Sequence, residues 1–358
     1  MGIRHWWQNK LVWILTASAV FGGLAGYLVY LQIGKGAGIS VGMGAGAAIA
    51  AERVLEPDRI YSPPPAPPKP YQPLLFESEN MRSETRYAGK TTTIAVEEAD
   101  LYRGFLVIVN AGRPLHDSYI PEDLVIADDA AQEVIITGYN VTKPGLEINQ
   151  TVDAMLKALV LDAWDAENLG GFLLQSGYRD YAYQITIHRR KIQEYRAMGY
   201  SEASAGDAAA FWVARPGESE HQTGLAADLS SRSHPELEPS YADTANGSWL
   251  AENCWRYGFI IRYPKDKTEI TNIGYEPWHL RYTGKPHSEL IYQNRWCLEE
   301  YLDFLQTKRG VTFRDGAGSI WQIDYQTADI GLLKVASDLP YTVSGDGASG
   351  YIITTQME

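Results

Sequence analysis

The chain has 358 residues, 45% of them hydrophobic and 21% charged, with a formal net charge of −13 at pH 7. That length exceeds one typical domain and leaves room for an anchor or tail beside a folded core. The acidic balance, with no lysine- or arginine-rich run in the soluble part, argues against a nucleic-acid partner and against tight adsorption to anionic lipid, but not against a substrate with a single carboxylate.

Residues 11–31 read LVWILTASAVFGGLAGYLVYL, 21 positions without a charge, enough for a helix to cross about 30 Å of hydrocarbon. The run lacks the polar face that a core helix of this length would carry. Arg4 and Lys10 precede it, so the positive-inside bias puts the short N-terminus in the cytoplasm and the rest outside, with Lys35 a weak counter-signal. A cleaved signal peptide is the rival reading, because Ala48, Ile49 and Ala50 suit a signal peptidase. The apolar run is longer than a usual signal core and the cut would fall well past its end, which favours an uncleaved anchor. Residues 1–33 are therefore expected to be a cytoplasmic N-terminus and transmembrane helix, and residues 34–90 a linker. The linker opens on a Gly/Ala-rich stretch and passes through SPPPAPPKPYQP at 62–73, a polyproline II spacer that can form neither helix nor sheet.

From residue 91 the pattern is mixed. FLVIVN at 105–110 reads as a buried strand, and 152–164 carries apolar residues at helical spacing. Residues 171–175 form a strand that delivers SGYR at 176–179, and Asp180 caps a helix running to Met198 and stopped by Gly199. A second helix covers 201–212, and Arg215, Pro216 and Gly217 make a turn. Strands follow at 225–230, 259–263 and 279–282, with a helix at 248–257 and a last one at 296–305. After Arg309 short β-type runs at 319–324, 332–336 and 350–355 suggest a β appendage over 309–358, either an extra sheet on the core or a separate module. The catalytic domain is thus expected over 91–308.

Two segments carry chemistry. SEHQTGLAAD at 219–228 and EPWHLRY at 276–282 supply two histidines and two carboxylates of the kinds a catalytic zinc site needs. Zinc in such a site takes three protein ligands and keeps the fourth position for water. His221, Asp228 and His279 would be the ligands and Glu276 the general base. Gly224 permits a tight path between the first two ligands. Pro277 is expected to end strand pairing, leaving Glu276 in a turn and His279 at the start of a strand, so that both face one cavity. Arg179, at a strand-to-helix junction, is the candidate to stabilise the oxyanion. Trp278 is expected to be a pocket wall.

SGYR, SEHQTGLAAD and EPWHLRY resemble, in order and separation, the VanY-type D-alanyl-D-alanine carboxypeptidases of the M15 zinc peptidases, over roughly residues 101–305. The SxHxxGxAxD pattern is met by Ser219, His221, Gly224, Ala226 and Asp228, and ExxH by Glu276 and His279. The resemblance implies an α+β fold with a small antiparallel sheet flanked by helices, one Zn2+ on His221, Asp228 and His279, and Glu276 as base. It also implies that Arg179 assists the transition state while Ser219 and Gln184 hold the substrate's terminal residue. Departures at Ala227, Leu280 and Thr283 touch no ligand.

The expected activity is removal of the terminal D-alanine from peptidoglycan stem peptides, outside the cytoplasm, by a single-pass membrane protein. An L,D-carboxypeptidase, a cross-link endopeptidase, and a non-catalytic wall-binding module with a structural zinc are the alternatives. Gln184 also reads as an ordinary exposed helix residue, His188 as a half-buried satisfied one, and His234 and His287 as solvated turn positions beside prolines. Cys254 and Cys297 are either a disulfide or two buried thiols.

Overall fold

The computed structural model describes residues 28–33, 39–44, 81–83, 87–127, 138–327 and 331–357, and the chain divides into two units, Met1–Tyr61 and Ser62–Glu358. In the first unit the described residues form two antiparallel strands, β1 (Leu28–Ile33) and β2 (Ile39–Gly44). Residues 11–27 of the expected membrane helix, and the proline-rich segment, lie outside the described residues. The last four positions of that helix, 28–31, fall in β1 instead, where LVYLQI is a β-compatible run. Among the described residues no helix is long and apolar enough to cross a membrane.

The second unit begins with β3 (Met81–Ser83) and β4 (Thr91–Ala95). Residues 105–110 do not form the expected strand. Leu106, Val107, Ile108 and Val109 are buried, but their backbone is satisfied piecemeal. Arg281 Nη2 donates to the carbonyls of Phe105 and Val107, Leu106 N donates to Ser344 Oγ, and Ile108 N to the Asp346 carbonyl. Burial demands partners for every backbone group, and here two side chains and a backbone carbonyl supply them where no strand runs alongside.

β5 (Leu124–Ile126), β6 (Asn140–Val141) and β7 (Glu147–Asn149) are short. The Asn149 side chain caps α1 (Gln150–Glu167), accepting from the N–H groups of Thr151 and Val152, and the helix buries Val152, Leu156, Leu159, Val160 and Ala163 along one stripe. β8 (Phe172–Ser176) leads to α2 (Tyr181–Ala197), capped by Asp180 as expected, and α3 (Glu202–Ala210), capped by Ser201. β9 (Ala226–Ser231), α4 (Ala245–Asn253), β10 (Phe259–Tyr263), α5 (Thr268–Thr271) and β11 (Glu276–Tyr282) complete the central layer. α6 (His287–Asn294) and α7 (Leu298–Lys308) then hand the chain to β12 (Gly310–Arg314), β13 (Ile320–Thr327), β14 (Leu332–Ala336), β15 (Tyr341–Gly345) and β16 (Gly350–Gln356).

The central sheet has the order β10-β11-β9-β8-β6 and is antiparallel except for the β6–β8 pair. Its one face carries Leu174, Ala227, Leu229, Trp278, Leu280 and Tyr282, which pack with α1 and with Trp249 and Leu250 of α4. Each such fully buried aliphatic or aromatic side chain contributes about 1.5–3 kcal/mol relative to exposure. The C-terminal strands β12, β13, β15 and β16 form a second sheet with β3, and β14 pairs with β4. This is an extra sheet on the core, because Val311, Phe313, Ile323 and Ile352 share one apolar cluster with Ile260 of β10 and with Leu290, Tyr301 and Phe304 of α6 and α7.

His287 is not a solvated turn residue. It opens α6 at 5% exposure, with Nδ1 2.6 Å from Tyr301 Oη and Nε2 3.0 Å from Thr354 Oγ1, and burial pushes its pKa down to about 3. The flanking Pro286 marks a helix entry there, and the second sheet covers the ring. Cys254 and Cys297 are buried free thiols.

Candidate metal centre and active site

His221 lies on a short 3-10 turn, Glu220–Thr223, that Gly224 ends in the left-handed region at φ 71°. A Cβ at Gly224 would stand 2.9 Å from Leu124 Cδ2, the movable end of a side chain, so it is the backbone angle that demands glycine there. The turn is tied on two sides: Asn149 N donates to the Gly224 carbonyl and Arg179 N to the His221 carbonyl, each at 3.1 Å. The imidazole donates from Nδ1 to the Gly177 carbonyl at 2.6 Å, which leaves Nε2 as the free lone pair. That Nε2 lies 3.3 Å from Asp228 Oδ2.

Asp228, on β9, pairs with His279 of β11 on one side and with Ser176 of β8 on the other. His279 Nδ1 is 3.3 Å from Asp228 Oδ1 and 3.3 Å from Glu276 Oε2. One donor atom from each of His221, Asp228 and His279 lies within 4.8 Å of the other two, and all three residues are buried. His221 Nε2, Asp228 Oδ1 and His279 Nε2 have no hydrogen-bond partner among the described residues. Buried polar atoms are rarely left in that state. Two imidazoles and a carboxylate that converge, with the Nε2 of His221 and Oδ1 of Asp228 left orphaned, fit a zinc ion in a three-ligand site.

Glu276 was expected in a turn, but it is the first residue of β11 and pairs with Tyr263. Strict alternation would put residues three apart on opposite faces of a strand. The ladder escapes this because its register shifts between Ile261 and Tyr263: Ile261 faces Leu280 and Tyr263 faces Glu276, so Pro277, Trp278 and His279 stand against Arg262 alone. The bulge turns Glu276 and His279 toward one another, and it also accommodates a proline with no N–H to donate. The β8–β9 ladder shifts too, Leu174 facing Leu229 and Ser176 facing Asp228.

The electrostatics are those of buried, mutually facing groups. Burial raises the Glu276 carboxyl above its usual range, while Asp228 is held well below it because the facing His221 and His279 outweigh the cost of burial. Burial and the Arg179 charge lower His221. Burial would lower His279 as well, but the Asp228 and Glu276 carboxylates raise it. Arg179 therefore acts on both the His221 and Glu276 ends of the site, and its buried Nε has no hydrogen-bond partner among the described residues.

Ser219 is buried at the entry of the ligand turn. Gln184 is 2% exposed, not an open helix position; its Nε2 donates to the Ala214 carbonyl at 2.7 Å and its Oε1 has no partner among the described residues. His188 is satisfied by the Val213 carbonyl, as expected. Trp278, expected as a pocket wall, packs in the core on the face of β11 opposite His279, where strand alternation sends it. Tyr263, which the sequence did not single out, presents its ring to His279 at 4.8 Å between centroids.

Sequence reasoning also missed a buried ion cluster behind the ligands. Glu220 Oε1 accepts from Arg262 Nε at 2.8 Å and from Arg281 Nη1 at 2.9 Å, and Arg262 makes a forked contact with Glu299 of α7 at 2.8 and 2.6 Å. Glu220, Arg262 and Arg281 are each 0% exposed. The available signal was adjacency: Glu220 precedes one ligand, and Arg281 follows another by two, hence on the same strand face.

Three buried donors, a neighbouring carboxylate and a nearby guanidinium make the site of a metallohydrolase. A family model described as VanY, D-alanyl-D-alanine carboxypeptidase, matches residues 146–285. The D-alanyl-D-alanine carboxypeptidase of Enterococcus faecium is 30% identical over 289 residues, covering 80% of this chain and 83% of that protein. The D-alanyl-D-alanine carboxypeptidase of Enterococcus faecalis is 41% identical over 216 residues, 60% of this chain and 71% of that protein. The solved structure of the vancomycin resistance D,D-dipeptidase VanXYg, in complex with a D-Ala-D-Ala phosphinate analogue, is 29% identical with a TM-score of 0.62, covering 75% of this chain and 100% of that one. The chain belongs to the VanY family of D-alanyl-D-alanine carboxypeptidases, zinc peptidases, and is an enzyme.

Proposed function

We propose that this chain is a zinc-dependent D,D-carboxypeptidase that removes the terminal D-alanine from peptidoglycan stem peptides. The observation that carries the reading is the convergence of His221, Asp228 and His279 donor atoms within 4.8 Å, with the Glu276 carboxylate 3.3 Å from His279. His221, Asp228 and His279 would hold the ion. Zinc, when bound, supplies Lewis acidity that acidifies water and polarises a scissile carbonyl.

The remaining work falls to the chain's own groups. Glu276, buried with its pKa raised, is placed to take a proton from the attacking water and return it to the leaving amine. Arg179 offers its guanidinium to the negative charge that grows on the carbonyl oxygen. Ser219 and Gln184 are the proposed holders of the terminal residue. Anchoring by the uncharged run that opens at residue 11, with the catalytic unit outside the cytoplasm, belongs to the same proposal and is supported by the lack of charge in that run and the preceding Arg4 and Lys10.

The test is a comparison of substrates. Purified protein is incubated with a pentapeptide stem, a tetrapeptide stem and a cross-linked muropeptide, with and without chelator and added zinc. D-alanine released fastest from the pentapeptide, lost on chelation and restored by zinc, is the expected result. Preference for the tetrapeptide or the cross-link, or turnover indifferent to chelation, overturns it.

A further inference from the structure

We propose that Glu220, Arg262 and Arg281 are positioning residues of the metal centre: their buried cluster fixes the His221 turn against the His279 strand and ties both to helix α7. The inference rests on the reading of His221, Asp228 and His279 as metal ligands.

Asp228 and His279 are paired across β9 and β11, whereas the His221 turn lies outside that ladder. His221 sits on a turn of four residues, Glu220–Thr223. His279 is paired with Asp228 of β9 on one side, but on the other β11 bulges against Arg262, so β10 does not hold it by regular pairing. Glu220 is bonded through the backbone to His221, and Arg281 lies two residues beyond His279. Their side chains meet at 2.9 Å across 61 positions of sequence. Arg262 joins the same carboxylate oxygen at 2.8 Å from the strand that faces the bulge. One carboxylate oxygen thus joins the turn, β11 just past the bulge, and the β10 residue that faces the bulge.

The arginines are themselves held. Arg281 Nη2 donates to two carbonyls of the irregular segment, Phe105 and Val107, each at 2.9 Å. Arg262 is forked onto Glu299, which also accepts from Asn110 at 3.3 Å. Two arginines and two glutamates balance in charge. A desolvated pair of this kind is costly to build and is often matched in stability by apolar packing, so stability alone gives a weak reason for four charges here. Orientation gives a better one: the cluster holds the backbone that carries His221 and His279, and loss of the groups that orient metal ligands typically costs about 10–100-fold in metal affinity or activity.

The experiment uses the full chain with Glu220→Gln and Arg281→Lys. Glutamine keeps the shape but loses the charge that gathers both arginines. Lysine keeps the charge but puts its donors on one nitrogen in place of the planar fork whose Nη1 reaches Glu220 and whose Nη2 reaches the two carbonyls. Zinc affinity is read by competition with a chromophoric chelator, ligand geometry by the visible spectrum of the cobalt-loaded protein, and folding by thermal melting. The expected result is zinc binding weaker by about tenfold or more, with an altered cobalt spectrum, in variants that still melt cooperatively. A lowered melting temperature with zinc affinity and cobalt spectrum unchanged overturns the proposal by making the cluster merely structural. Should Glu220→Gln not fold, Arg281→Lys decides on the same readouts. Failure of the underlying reading is separate: wild-type protein would then bind neither zinc nor cobalt at this site.

Discussion

Asp228 and His279 stand directly opposite one another on the antiparallel strands β9 and β11, with their side chains on the face of the sheet turned away from the main apolar core. The metal centre is therefore built on the rigid middle of a sheet, and only His221 arrives from a turn. That division makes the consequences of substitution separable.

His221→Ala removes a ligand, so bound zinc and turnover should disappear together. Glu276→Ala leaves the three donors in place and should keep near-stoichiometric zinc while kcat falls by about 10²–10⁴-fold. Metal content by atomic spectroscopy beside steady-state kinetics checks this, and loss of zinc from the Glu276 variant would make that residue a ligand rather than a base.

Arg179 touches the site by charge, not as a donor to the ion. Arg179→Ala should lower kcat by about 10²–10³-fold, the usual cost of a missing oxyanion partner, with zinc content unchanged. A rise in KM alone would instead make it a ground-state binding residue.

His287 links acid stability to the second sheet. Its pKa is depressed by burial from 6.5 to about 3, so between those values the unfolded chain binds a proton that the folded chain does not. The stability it contributes is complete above pH 6.5 and is lost as pH falls toward 3. His287→Gln should be less stable than wild type at pH 7.5, with the gap in melting temperature narrowing at pH 5. A gap constant with pH would contradict the assignment.

Cys254 and Cys297 are buried thiols, with burial pushing Cys254 up to about 12 and raising Cys297 as well. The thiolate is the reactive form, so the native protein at pH 8 should resist alkylation and take up two equivalents of reagent once denatured. Mass spectrometry without reductant reads both; a cross-linked pair would take up none.

Much of the site was legible in the sequence because its residue types are few and closely spaced. The Asp180 cap and the stop at Gly199 follow from local hydrogen bonding and backbone preference, which nearest neighbours decide. The four-charge cluster was not legible. Glu220 meets Arg262 from 42 positions away and Arg281 from 61, and a buried charge has no periodic pattern to betray its partner. His287 failed for the same reason, since the strand that buries it, with Thr354, comes 67 residues later.

The sequence by itself determined which donors the protein has: two imidazoles, an aspartate and a spare glutamate, in motifs whose local chemistry is self-sufficient. Only the tertiary structure decided that they meet. Glu276 and His279, three apart, would point to opposite faces of a regular strand, and the bulge against Arg262 brings them to 3.3 Å. Strand parity is a local rule, but its breaking depends on what packs across the ladder, and that is set by residues far away in the chain.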